Sequence, residues 1–140
     1  LTEAYRAFDR LGFNESPHLS KILADMLEEG KNFAQDEYEE ALDIRASLES
    51  FFQSFFEDFD AILSPSASGE APLLNEGHTG NPIFCTVWTL AGLPTLNLPI
   101  MRGENGLPIG LQMVGRLRDD ARLLRTARWF MATLFDEGEA

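Results

Sequence analysis

The sequence predicts a layered α/β fold, carried here by a fragment of a larger sheet. Three observations predict it. A helical apolar stripe includes five phenylalanines between residues 51 and 59 and needs extensive cover. Two apolar strands flank Asn105-Gly106, a strong hairpin signal. The order helix, helix, strand, helix, strand pair, helix is that of an α/β layer structure. Three strands are few for so much helical apolar surface, so the rest of the sheet is expected outside these 140 residues. The chain begins at Leu1 rather than Met, which agrees with that expectation.

The elements follow in order. Residues 1–10 read as the end of a helix, broken at Leu11-Gly12-Phe13. Ser16 offers an N-cap with Pro17 at the first helical position. Leu19, Ile22, Leu23, Met26 and Leu27 then keep helical spacing until Gly30, the expected stop. Residues 34–58 form the long helix, with Tyr38, Leu42, Arg45, Leu48, Phe52, Phe55 and Phe59 on one stripe. Asp60 to Ser64 is a short apolar strand, expected at a buried central position and ended by Pro65. Residues 64–80 read as a long loop. Asn81 and Pro82 open a short helix that Gly92 ends. Strands Thr95–Met101 and Ile109–Val114 form an antiparallel pair, and Asp119 or Asp120 caps a last helix with core face Leu124, Ala127, Met131 and Leu134.

Composition narrows the function. The net charge is −12, of which −10 falls on residues 1–60. A nucleic-acid partner is therefore disfavoured, because phosphate binding needs basic surface. Arg116, Arg118, Arg122, Arg125 and Arg128 are the one basic concentration and read as a solvated helix face. No apolar run approaches the roughly 18–20 residues that span a bilayer, so no membrane partner is expected. The single Cys85 excludes an internal disulfide and suits a reducing, cytoplasmic compartment. It reads as a small buried hydrophobe, with a pocket-lining thiol as the alternative. His18 and His78 are isolated, so no metal and no cofactor is expected.

Chemistry is sparse. There is no Gly-x-Ser-x-Gly elbow; Ser68-Gly69 is the nearest approach and lies in a loop. The two lysines, Lys21 and Lys31, lie on or next to an acidic surface helix, and Glu39 and Asp43 are helical surface neighbours. What remains are polar groups at strand ends and in strands. Ser64 and Ser66 bracket Pro65 where a strand leaves the sheet, a usual place for ligand groups in open α/β sheets. Asn97 and Gln112 lie in strands expected to be half or fully buried, as structural hydrogen-bonders or as pocket lining. Arg45 interrupts an apolar stripe, either snorkelling or paired with a carboxylate of the chain, or else aimed into a pocket where it binds a ligand carboxylate.

Arg45, Leu48, Phe52 and Asp60, then Ile62-Leu63-Ser64-Pro65-Ser66, open an ordered series of short motifs. It continues with Trp88-Thr89-Leu90-Ala91-Gly92-Leu93-Pro94, Asn97-Leu98-Pro99 and Gly106-Leu107-Pro108-Ile109-Gly110-Leu111-Gln112. In order and spacing the series resembles the C-terminal part of the amidase signature family, whose members include bacterial amidases and the A subunit of tRNA-dependent amidotransferases. The resemblance implies a three-layer α/β/α fold around a large mixed sheet, with about three strands and four to five helices here. It implies hydrolysis of a small-molecule carboxamide by a Ser–cis-Ser–Lys triad, with backbone amides stabilising the oxyanion. The triad belongs to the family's N-terminal half, so no catalytic residue is expected in this chain. Arg45 matches an arginine that faces the substrate carboxylate in the amidotransferase members. Ser64-Pro65-Ser66 stands where Thr-Pro-Thr types are usual, which favours a general amidase.

The expectation is a single unit over residues 1–140, helical and acidic over 1–59, with sheet core over 60–140. It is a C-terminal amidase part, inactive alone, with Arg45, Ser64 and Ser66 facing substrate. Apolar surface left by an incomplete sheet is expected to draw the isolated chain into a homodimer. The alternatives are an acidic helical interaction module without enzymatic activity, and a complete small enzyme using Ser66 or Ser68.

Overall fold

The computed structural model describes residues 1–136; residues 137–140 of the expected single unit lie outside the described residues. Among the described residues, five α-helices and three strands run in the order α1 (Thr2–Arg10), α2 (Lys21–Asn32), α3 (Gln35–Asp58), β1 (Ile62–Pro65), α4 (Ile83–Ala91), β2 (Thr95–Arg102), β3 (Pro108–Val114) and α5 (Asp120–Asp136). A 3₁₀ turn at Leu74–Glu76 interrupts the long loop. The described residues divide into two compact units, residues 1–44 and residues from 45 onward.

In the first unit α1 packs on α2. Two expectations fail in this region. The N-cap of α2 is Ser20, whose Oγ accepts the Leu23 N–H at 3.2 Å, and Ser16 lies in the preceding turn. Proline fits a first helical turn, but here Pro17 serves the turn Phe13–Leu19 instead. Gly30 does not end the helix, which continues to Asn32. It is buried where a Cβ would collide with the Leu1 carbonyl, so its missing side chain lets the two helices approach. Across this unit Arg6 lies over the Tyr38 ring at 4.5 Å.

In the second unit the strands form one sheet in the order β1-β3-β2, and both pairings are antiparallel. β3, not β1, is therefore the central strand among the described residues. The reason is the hairpin: the Gly103 N–H to Leu107 carbonyl bond and Gly106 at φ 81° close β2 onto one side of β3, leaving its other side for β1. Pro65 then sits in an edge strand, where a missing N–H is tolerated. The β2–β3 register slips between Leu98 and Met101, a bulge that accommodates Pro99.

Strand alternation sends the sheet's two faces to two helical layers. Leu98 and Met113 join Leu123 and Ala127 of α5 on one face. The core face of α5 is thus centred on Leu123, and Leu124, one helical step of about 100° away, is exposed. Val114 meets Phe52 and Phe56 of α3 and Ala91 and Leu93 on the other face, with Ile62 and Trp88 packed beside them. This is an α/β/α arrangement. Phe56, Met113 and Val114 are its most deeply buried large side chains. Burial at roughly 1.5–3 kcal/mol for each such side chain outweighs the rim contacts that surround them. Gly92 at φ 69° ends α4 as read from the sequence, with the Leu93 N–H reaching the Trp88 carbonyl at 2.9 Å. Asp119 caps α5, its Oδ1 accepting the Arg122 N–H at 3.3 Å.

Candidate functional site

The face of the sheet that meets α3 and α4 changes character along the strands. At one end Ile62 and Val114 pair within the Phe52–Phe56 core. Two residues further, the same face carries Ser64, Gln112 and Asn97 in one cross-strand row, because Gln112 is in register with Ser64 on β1 and with Asn97 on β2. Ser66 follows at the exit of β1, its N–H bonded to the Gly110 carbonyl at 3.0 Å. The Ser66 hydroxyl donates to Asn97 Oδ1. Gly110 permits this: a Cβ there would coincide with the Asn97 side chain.

The first turn of α4 is tied to the row twice. Gln112, only 6% exposed, donates from Nε2 to the Phe84 carbonyl at 2.9 Å. Cys85, half-buried, places its sulfur 3.7 Å from the Ser66 carbonyl. The thiol thus borders the polar row instead of serving only as a core hydrophobe. Gln112 is buried as expected, whereas Asn97 is exposed. The difference follows from strand position: Gln112 lies on central β3 beneath α4, and Asn97 lies on β2, an edge strand of the described sheet.

Of the three residues expected to face substrate, Ser64 and Ser66 come together at the exit of β1, both half-buried. The Ser64 hydroxyl donates to the Pro65 carbonyl at 3.2 Å. Arg45 is exposed on α3, one turn before half-buried Leu48. The row can donate and accept hydrogen bonds to a neutral polar ligand. Among the described residues the Ser64 and Ser66 hydroxyls are hydrogen-bonded to the Pro65 carbonyl and to Asn97 Oδ1.

Two partners were illegible in the sequence. Asp60 Oδ1 accepts from Arg122 Nη2 at 2.6 Å and Nε at 3.1 Å, joining the entry of β1 to α5. Arg122 is thereby set apart from exposed Arg125 and Arg128. Glu70 accepts from the hairpin tip through both carboxylate oxygens. Elsewhere, in the first unit, a cavity of about 340 Å³ opens between Tyr5, Asp9, Asn14, Leu27, Glu28 and Lys31. Lys31 pairs there with Glu28 at 3.5 Å, a solvated surface pair. His18 and His78 are exposed, and no group of three metal-ligating side chains occurs among the described residues. No helix among them is long and apolar enough to cross a membrane.

A family model described as Amidase matches residues 3–124. The A subunit of glutamyl-tRNA(Gln) amidotransferase from Brevibacillus brevis is 32% identical over 140 residues, covering 95% of this chain and 28% of that protein. The corresponding A subunit from Wolbachia sp. subsp. Drosophila simulans is 40% identical over 95 residues, covering 64% of this chain and 19% of that protein. A crystal structure of an amidase superposes with a TM-score of 0.77 at 28% identity, covering 94% of this chain and 33% of the other. The chain thus spans about a third or less of the length of each of these proteins.

Proposed function

The chain belongs to the amidase family, and from that membership we propose that it forms one wall of a substrate cleft in an enzyme that hydrolyses a carboxamide to carboxylate and ammonia or amine. The nucleophilic serine, the bridging cis-serine and the lysine come from sequence outside these residues, and the chain alone is inactive. Ser64 and Ser66 face the bound small-molecule amide, and Arg45 offers a cation to a substrate carboxylate. The observation that carries this reading is the row Ser64–Gln112–Asn97 with Ser66, four uncharged hydrogen-bonding side chains brought together beside the apolar core of the sheet. Such groups suit a neutral amide, which both donates and accepts. No cofactor or metal is assigned to the reaction, and no nucleic acid or membrane to the partners; the compartment is cytoplasmic.

The test is direct. Purified chain is treated with a serine-directed fluorophosphonate and assayed with a simple carboxamide. Neither labelling nor turnover is expected. Specific labelling, or turnover abolished by changing Ser66 or Ser68, overturns the assignment of the nucleophile to other sequence. In the enzyme that contains this segment, Ser66→Ala and Arg45→Ala are expected to raise KM more than they lower kcat.

A second reading has one observation in its favour. Phe51, Phe55 and Phe59 stack successively at the end of α3, with centroids 6.3 and 4.6 Å apart, and Phe51 and Phe59 are 59% and 53% exposed. An interaction module would present such a face to another protein. Sedimentation separates the readings: a dimer goes with an incomplete enzyme, and a monomer that melts cooperatively goes with the module.

A further inference from the structure

We propose that Glu70 is a positioning residue that holds Ser66 at the polar row by clamping the loop after β1 to the tip of the β2–β3 hairpin. Glu70 Oε1 accepts the N–H groups of Asn105 and Leu107, each at 3.0 Å, and Oε2 accepts Asn105 Nδ2 at 2.7 Å. Three donors from one turn converge on one carboxylate. The turn is shaped to receive it: a Cβ on Gly103 would collide with the Glu70 side chain at its Cγ and Oε1. Gly103 is thus needed for close approach, in addition to its place in the hairpin.

The consequence for Ser66 is geometric. Four residues of chain reach no further than roughly 14 Å, so Ser66 and Glu70 are tightly coupled in position. Ser66 is held by its N–H on Gly110, and the strap Ala67-Ser68-Gly69 ends at Glu70 on the hairpin. With both ends fixed, the Ser66 hydroxyl stays on Asn97. Without Glu70 the strap has one anchor, and the hydroxyl samples other rotamers. This role rests on the reading of Ser66 as a substrate-facing residue.

Conservative variants distinguish a shaped clamp from a surface charge. In Glu70→Gln the amide oxygen can replace Oε1 for both backbone donors, and Asn105 can turn its own oxygen toward the new NH2 group. In Glu70→Asp the shorter arm leaves the turn. The experiment measures amide hydrogen exchange and the Asn97 side-chain NH2 resonances in the 140-residue chain. Glu70→Ala and Glu70→Asp are expected to speed exchange at Asn105 and Leu107 about tenfold or more, as for loss of bonds to a charged acceptor, and to shift the Asn97 signals. Glu70→Gln is expected to stay within about threefold of the parent chain, because neutral bonds replace charge-assisted ones. Gly103→Ala should reproduce Glu70→Ala. The exchange of Met113 and Val114 should not change, which shows that the sheet remains folded. Unshifted Asn97 signals in Glu70→Ala, a Glu70→Gln variant as loose as Glu70→Ala, or core exchange that rises with the loop each overturns the clamp. A displaced Asn97 signal with normal amide turnover in the parent enzyme leaves the clamp standing and overturns the substrate-facing role of Ser66.

Discussion

Ser66 and Asn97, 31 residues apart in sequence, share a hydrogen bond over the one position of β3 that has no side chain, Gly110. The bond links the exit of an edge strand to the hairpin on the far side of the sheet's central strand. Its existence depends on an empty space as much as on two polar groups.

Gly110→Ala is expected to displace Asn97 and break that bond, at about 1–3 kcal/mol, the usual cost of overpacking. Asn97→Ala in the same chain removes the collision. A double-mutant cycle by denaturant unfolding should therefore show coupling of about 0.5–3 kcal/mol, with the double variant more stable than the sum of the singles. Additive losses would mean that the two residues do not compete for one space.

Gly92→Ala should fail for a different reason. The nearest side-chain atom to a Cβ at Gly92 is Leu117 Cδ1 at 3.8 Å, an ordinary contact, yet its φ is 69°. The cost of about 1–2 kcal/mol is that of a left-handed backbone alone, so no second-site truncation should rescue it. Thermal and denaturant unfolding of Gly92→Ala with Leu117→Ala tests this.

Phe56 and Phe59 lie three residues apart at the end of α3 but differ in burial, at 1% and 53% exposed. Phe56→Ala is expected to cost about 3–5 kcal/mol, as for other buried phenylalanines. Phe59→Ala loses only its stacking on Phe55 and some partial burial, about 1 kcal/mol. Equal shifts in the urea midpoint would contradict the placement of the core between α3 and β3.

The start of α2 offers a local test. Ser20→Ala should cost about 1 kcal/mol, since it removes the acceptor for the Leu23 N–H. Ser16→Ala should lie within about 0.5 kcal/mol, the usual range for surface changes. Helical circular dichroism during unfolding of the first unit would show the difference.

Much of the architecture was legible in the residue order. The apolar stripe of α3, the Asn105-Gly106 turn, the Gly92 stop and the alternation of β2 and β3 are local patterns. Each reflects a period of 3.6 or 2 residues or a backbone preference that one residue expresses by itself. Ser64 and Ser66 were identifiable as site candidates because they flank Pro65 at a strand exit. The α2 cap was misplaced because Ser16-Pro17 carries the same local signal as a real helix start, and only the path of the chain selects Ser20.

The sequence by itself determined which segments become helices and strands, because that property depends on neighbours within a few positions. Tertiary structure alone decided that β3 is central, that Asn97 reaches Ser66, that Glu70 seats in a turn 35 residues away, and that Asp60 meets Arg122 across 62 residues. These contacts depend on strand register and on side chains that are missing at Gly103 and Gly110. Neither takes effect until distant segments pair, since a space becomes a binding seat only when something is brought to fill it.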